Sequence, residues 1–274
     1  MPFPPPLTRL ADLDAQLKAQ GHAVLDAASL SQLSNTPSAS FLAWSRCWDD
    51  LPLDGHLRDG GRYRRRRHSC FMVSPGSAGA SGASLRLRPV PHRAHWQPLE
   101  YNALHGGIER WFEPMAALMC DDPAWARLLV TLAKCCARLR GQPDAQWAVE
   151  AHPFRIDTTD GIGRPTPEGA HRDGVDLVAV ILVGRTNIKG GETRVFDAQG
   201  PQGLRFTLTE PWSALLLDDA RVIHESTPIQ PLQALDANHT GHRDTLVLTF
   251  RQGGFQGPMA DPAERRADPH VNGR

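Results

Sequence analysis

Leu10, Leu13 and Leu17 recur at helical spacing and the pattern stops at Gly21. This predicts a short amphipathic helix behind a proline-rich start at residues 1–8. His22 to Leu25 follows as a strand. Between Gly107 and Arg140, the apolar positions Ile108, Trp111, Phe112, Leu118, Trp125, Leu128, Leu129, Leu132 and Cys136 fit two helices divided near Asp121, Asp122 and Pro123. After Gln146 the helical period gives way to short β-type runs separated by Gly, Pro and Asp turns. The runs are Trp147 to Ile156, Leu177 to Val183, Thr193 to Phe196, Leu204 to Leu208, Ala214 to Leu217, Val222 to His224 and Thr245 to Phe250. Short strands at this spacing predict an antiparallel sandwich or barrel with the preceding helices packed against it.

Ser74 to Ser84 contains almost no large side chain, so it cannot bury enough apolar surface to order itself and reads as a mobile loop, a candidate lid. The residues from Gly253 on read as a frayed tail. The expected organisation is therefore an N-terminal tail and short helix over 1–20, a single domain over 21–252 and a C-terminal tail over 253–274. Within the domain, a helical or mixed part covers about 21–146 and a β-rich core about 147–252.

Thirty Lys and Arg balance thirty Asp and Glu, so nothing in the net charge draws the chain to nucleic acid or an anionic membrane. The one basic run, Arg64 to Arg67 with His68, reads first as a solvated or ion-paired face and second as a grip for phosphate or carboxylate. The five cysteines are odd in number and lack metal-type spacing, which fits free thiols in a reducing compartment. The start lacks the basic segment and apolar run of an export signal, and the longest apolar run, Leu177 to Val183, is too short to span a bilayer. A cytoplasmic protein is expected.

The candidate chemistry centres on His171-Arg172-Asp173, with His224 at the end of a β-run 51 residues beyond Asp173. In extended backbone, positions i and i+2 face the same side, so His171 and Asp173 project together. A neighbouring strand carrying His224 completes two imidazoles and one carboxylate, the facial set associated with non-haem iron(II) oxygenases. Half of an octahedral sphere stays open, room for a chelating 2-oxo acid and for dioxygen. An HxD tripeptide alone is a weak signal; the β-rich context and the distal histidine strengthen it. On the last strand Arg243, Thr245, Val247 and Thr249 share one face. Arg243 can hold the far carboxylate of a 2-oxo acid in a bidentate grip, helped by the Thr245 hydroxyl. Arg251 has the same parity and is the alternative.

The stretches PTPEGAHRDG (165–174), GRTNIKGGETRVFD (184–197), LTEPWSALLLDDARVIHESTPI (208–229) and RDTLVLTF (243–250) resemble the 2OG-Fe dioxygenase family, which includes bacterial free L-amino-acid hydroxylases and a protein linked to biofilm formation and stress. The similarity extends more weakly to GRYRRRRHS (61–69) and QPLEYNALHGGIERWFEP (97–114). The resemblance implies a mainly β protein with flanking helices, a double-stranded β-helix of jelly-roll, cupin-like type. It further implies iron(II) on His171, Asp173 and His224, 2-oxoglutarate on Arg243, and hydroxylation of a free amino acid or similar small molecule using dioxygen. The segment Pro231 to His242 departs from the pattern in its length.

Tyr101, Asn102, Arg155 and Glu192 are softer candidates for contacting a small polar substrate; Gly190-Gly191 before Glu192 reads first as a tight turn. Two other functions compete. One is a non-catalytic metal- or ligand-binding protein of biofilm or stress regulation on the same barrel; the other is a cupin-like barrel that uses the same ligands for another metal and a non-redox reaction.

Overall fold

The computed structural model describes residues 3–75, 85–232 and 240–258. Most of the expected 74–84 loop, the middle of the 231–242 link and most of the tail lie outside the described residues.

A 3-10 turn (Leu10–Asp12) leads into α1 (Leu13–Gln20), which ends on left-handed Gly21. β1 (His22–Leu25), α2 (Ala27–Ser34) and α3 (Ser38–Ser45) follow. β2 (Arg64–Arg66), β3 (Ser69–Pro75) and β4 (Leu85–Pro89) come next. α4 (Ala117–Cys120) is a single turn, and α5 (Pro123–Arg140) is the long helix. The second half holds β5 (Trp147–Asp157), β6 (Leu177–Thr186), β7 (Ile188–Gly190), β8 (Thr193–Asp197), β9 (Gly203–Phe206), β10 (Ala214–Leu217), β11 (Val222–Ser226), β12 (Ile229–Pro231) and β13 (His242–Gln252).

α5 forms where its sequence sets both ends. Asp122 accepts the Ala124 amide at 2.8 Å, Pro123 occupies the first turn, and Gly141 closes the helix with φ 65°. Its buried stripe includes Trp125, Leu128, Leu129 and Leu132, each fully inside, and burying such a side chain contributes about 1.5–3 kcal/mol. The other helix expected between Gly107 and Arg140 shrinks to α4. Pro114 opposes a helix through that point, and the backbone of Arg110 instead pairs with that of His95 in an isolated bridge. Ile108, Trp111 and Phe112 lie in this connecting segment, with Trp111 exposed.

The large antiparallel sheet runs in the order β1-β10-β6-β13-β5-β3-β4, with β2 also paired to β5. A smaller sheet, β11-β8-β9, and the ribbon β12-β7 complete the β part. Period-2 alternation gives the large sheet two different faces. Leu246, Leu248 and Phe250 of β13 join Val149 and Ala151 of β5 in the core under α5, whereas the intervening residues turn inward. Between the sheets, Val178, Leu182, Leu215 and Leu217 pack on Val195, Phe206 and Val222. The result is a double-stranded β-helix with helices on one outer face. No helix among the described residues is long and apolar enough to cross a membrane.

Candidate active site and metal centre

His171 and His224 are backbone partners in an antiparallel bridge: the His171 amide donates to the His224 carbonyl at 3.0 Å and the His224 amide returns the bond at 2.9 Å. Directly opposed residues present their side chains to one face, and the two rings lie 4.6 Å apart. Asp173 completes the group, with one oxygen 3.7 Å from His171 Nε2 and the other 3.8 Å from His224 Nε2. Among the described residues, His171, Asp173 and His224 form a potential ligand group whose donor atoms lie within 4.8 Å of one another. Glu168 approaches His171 Nε2 at 3.5 Å but does not join that group.

Neighbouring atoms hold these donors. The Gly169 carbonyl lies 3.0 Å from His171 Nδ1, and Gln97 Nε2 donates to Asp173 at 3.1 Å. The loop after His171 is fixed by Asp219, whose carboxylate accepts the amides of Asp173, Gly174 and Val175 at 2.8–3.1 Å. Burial pushes the Asp173 carboxyl up, against the pull of His171. It pushes His224 down to about 3, leaving that ring neutral with a lone pair to offer. Burial would also lower His171, but Asp173 and Glu168 outweigh it and lift the ring above its usual value. Two imidazoles and one carboxylate, with no further protein donor in the group, suit a six-coordinate iron(II) with open positions.

The same cavity receives the inward residues of β13: Arg243, Thr245, Val247, Thr249 and Arg251. Arg243 is 3% exposed, and its Nε and one terminal nitrogen have no partner among the described residues. Burial, then the nearby Arg185, lowers it to about 10. Arg185 donates to the Gly190 carbonyl at 3.0 Å and keeps one buried nitrogen without a partner among the described residues. Arg251, by contrast, donates to the Gly254 carbonyl at 2.8 Å.

The softer candidates separate. Asn102 lines the cavity, donating to Gln97 at 3.1 Å. Tyr101 stands outside the lining, beside Gly174 and 5.9 Å from the Arg172 guanidinium. Arg155 makes a two-pronged pair with Asp244 at 2.8 and 2.7 Å, away from the cavity. Glu192 pairs with Arg194 at 3.0 Å, and Gly190 and Gly191 before it both have positive φ, as a tight turn requires.

Several cavity residues were not among the candidates. The basic run is a strand, so it alternates: Arg65 and Arg67 turn outward to Asp157 and Glu113, while Arg64 and Arg66 are buried in the cavity wall. The ion-paired reading holds for Arg64, Arg65 and Arg67, with Arg64 paired to Asp54 inside the wall, and Arg66 departs from it. β5 contributes Ala148, Glu150, His152, Phe154 and Ile156 from its inward face, and His95, Gln97 and Arg110 come from the segment ahead of α4. Alternation within β5 and within the basic run was the available signal; nothing local marked Asp219.

The family model described as 2OG-Fe dioxygenase matches residues 45–249. This chain belongs to the 2OG-Fe dioxygenase family. It is therefore a 2-oxoglutarate-dependent dioxygenase that uses iron(II) and 2-oxoglutarate. The dioxygenase is similar to a bsmA homolog from Methylobium petroleophilum PM1, with 55% identity over 92% of this chain and 96% of that one and a TM-score of 0.82. Its fold is also shared with IDO from Bacillus thuringiensis, at 14% identity over 90% and 96% of the two chains and a TM-score of 0.69. TqaL, an Fe(II)/(alpha)ketoglutarate-dependent dioxygenase, shares it at 20% identity over 88% and 86% with a TM-score of 0.64. No curated protein sequence matches the chain.

Proposed function

We propose that the dioxygenase hydroxylates a free L-amino acid or a similar small molecule, with His171, Asp173 and His224 holding iron and Arg243 and Thr245 receiving the far carboxylate of 2-oxoglutarate. The observation that carries the substrate class is the cavity beside the triad, whose wall combines buried cations, Arg66 and Arg110, with the carboxylates Glu150 and Glu168. A small molecule bearing both charges matches such a wall; a purely apolar one would strand those groups.

Bound iron and 2-oxoglutarate supply the oxidant that puts one atom of dioxygen into a C–H bond while 2-oxoglutarate becomes succinate and carbon dioxide. The chain supplies the rest. Arg243 has the unmatched positive charge needed to fix the co-substrate's orientation, and Thr245 follows it on the same inward face. Gln97 and Asp219 hold Asp173 in register. Val180 and Val247 line the cavity beside the apolar core and keep bulk water from the reacting centre. A cytoplasmic setting agrees with five cysteines that are all free.

The test is a screen of free amino acids with iron(II), 2-oxoglutarate and ascorbate, read by a product mass gain of one oxygen atom and by succinate. Substrate-stimulated succinate that disappears in His171→Ala and Asp173→Ala is the expected result. Equal turnover in those variants refutes the assignment of the ligands, and no turnover across the panel refutes the substrate class.

A further inference from the structure

Besides the triad, a second group of potential metal donors is present among the described residues: His68, His95, Glu150 and His152, all buried, with donor atoms within 4.8 Å of one another. Two features argue against a metal there. The rings of His68 and His152 stack at 4.6 Å with 12° between planes, so lone pairs in those ring planes run side by side instead of converging. In addition, an Arg66 terminal nitrogen lies 2.6 Å from His152 Nδ1. A guanidinium only donates, so Nδ1 accepts and the ring's own proton sits on Nε2, facing Glu150 at 3.5 Å. The cluster is a brace: Glu150 gathers His95 at 2.5 Å, His152 at 3.5 Å and His68 at 3.6 Å, and His152 in turn holds Arg66.

What the brace presents is a cation that makes no direct ion pair among the described residues. Arg66 is 3% exposed and lies between the rings of Phe112 and Phe154 at 4.0 and 4.2 Å; its Nε has no partner. Arg110 is 2% exposed; its side chain donates to the amide oxygen of Gln97 at 2.9 Å, and its Nε has no partner among the described residues. Neighbouring Arg64, by contrast, is neutralised by Asp54 at 2.7 Å. Among the described residues neither Arg66 nor Arg110 makes a direct ion pair, although Glu150 and Glu168 share the cavity wall, and buried guanidiniums without one are costly unless an anion joins them. Strand register sets Arg66 across from Phe154 on one side of β5 and Thr245, next inward after Arg243, across from Phe154 on the other, so β5 lies between Arg66 and the strand that carries Arg243.

We infer that Arg66 and Arg110 form a second anion subsite that docks the carboxylate of the substrate, and that Gln97 ties this subsite to the metal's own carboxylate. Gln97 is a positioning residue. Its oxygen accepts from Arg110 and Asn102, which fixes the amide so that its nitrogen donates to Asp173. An anion drawing on Arg110 therefore acts one side chain away from an iron ligand. The inference deepens the substrate reading above and rests on it only for the substrate's identity.

The experiment uses the full-length protein loaded with manganese(II) and saturating 2-oxoglutarate, so that the Arg243 end is filled, with acetate as the probe and acetamide as its neutral counterpart. Calorimetry should show saturable acetate binding, no matching acetamide binding, and acetate affinity weakened about tenfold or more in Arg66→Met and Arg110→Met. Affinity for 2-oxoglutarate in these two variants should stay within about threefold of wild type, which also shows that they fold. The manganese paramagnetic resonance signal should respond to acetate in the wild type and not in Gln97→Leu. Absent acetate binding, binding that survives both arginine variants, or a parallel loss of 2-oxoglutarate binding overturns the subsite. An unchanged resonance response in Gln97→Leu overturns the link. If acetate binds as described while no amino acid is hydroxylated, the amino-acid reading fails and the subsite stands.

Discussion

Replacing Asp219 by alanine removes a side chain that touches no ligand, yet it should both destabilise the fold and loosen the metal site. Its carboxylate accepts three consecutive backbone amides, those of Asp173, Gly174 and Val175, from a position 1% exposed. A buried donor left unpaired costs about 1–3 kcal/mol, so three of them give a loss of about 3–9 kcal/mol when little water enters. Asp173 and Asp219 also repel each other, since burial and then the Asp173 charge push the Asp219 carboxyl up; relief of that repulsion trims the loss without reversing it. Asparagine keeps one oxygen where two of the amides already converge on Oδ2, so Asp219→Asn should cost about 1–2 kcal/mol. Metal affinity should fall about 10–100-fold in Asp219→Ala, the range seen when a ligand's supporting partner is lost. Urea unfolding of metal-free protein and manganese(II) titration measure the two effects. A variant that binds manganese as tightly as wild type refutes the argument that this carboxylate sets the position of Asp173.

Other consequences follow from single contacts. Asp54 is shielded from water, which alone would raise its carboxyl, but Arg64 and Arg66 hold it below the ordinary value of 3.8. Because the folded value is the lower one, its stabilisation is present above 3.8 and is lost as pH falls through the folded value. Asp54→Asn should cost about 3–5 kcal/mol at neutral pH and flatten the acid limb of the stability curve; an unchanged acid limb contradicts the pairing. Gly190 has φ 80°, and an added Cβ would lie 2.2 Å from the Pro228 carbonyl oxygen. Gly190→Ala should therefore cost about 2–4 kcal/mol, against about 1 kcal/mol for Gly141→Ala, where φ is also positive but the space is open. Equal losses in thermal or urea unfolding would remove the steric argument. Leu248→Ala, in the fully buried layer under α5, should cost about 2–5 kcal/mol, and a loss below about 1 kcal/mol would mean that this layer is not packed as described.

The β half was legible because its strands are short runs set off by turns, and β13 and β5 add a two-residue period with an apolar face for the helix-covered core and a mixed face for the cavity. Ala214–Leu217 and His22–Leu25 begin and end where the pattern places them, and β13 shows Leu246, Leu248 and Phe250 on the core side as the alternation requires. The first half was harder to read. α2 and α3 are eight residues each and carry weak periodicity; aromatic packing holds α3, where Phe41 stacks on Trp212 at 4.6 Å. Tertiary packing of this kind has no local signature. At the site, His224 and Arg243 stood out because they lie on strands whose parity can be counted, and His171 and Asp173 because of their two-residue spacing. Arg66, Arg110 and Glu150 were concealed for another reason: a charged residue looks like surface until the fold shows what surrounds it.

The central claim is tested most directly without turnover, by titrating 2-oxoglutarate into the iron(II)-loaded protein under anaerobic conditions and recording the visible charge-transfer absorption of the chelate. Wild type should develop the band saturably. His171→Ala and Asp173→Ala should fail to develop it at the same iron concentration, and Arg243→Met should need about tenfold or more 2-oxoglutarate to reach it. A band of wild-type intensity and midpoint in all three variants would contradict the account.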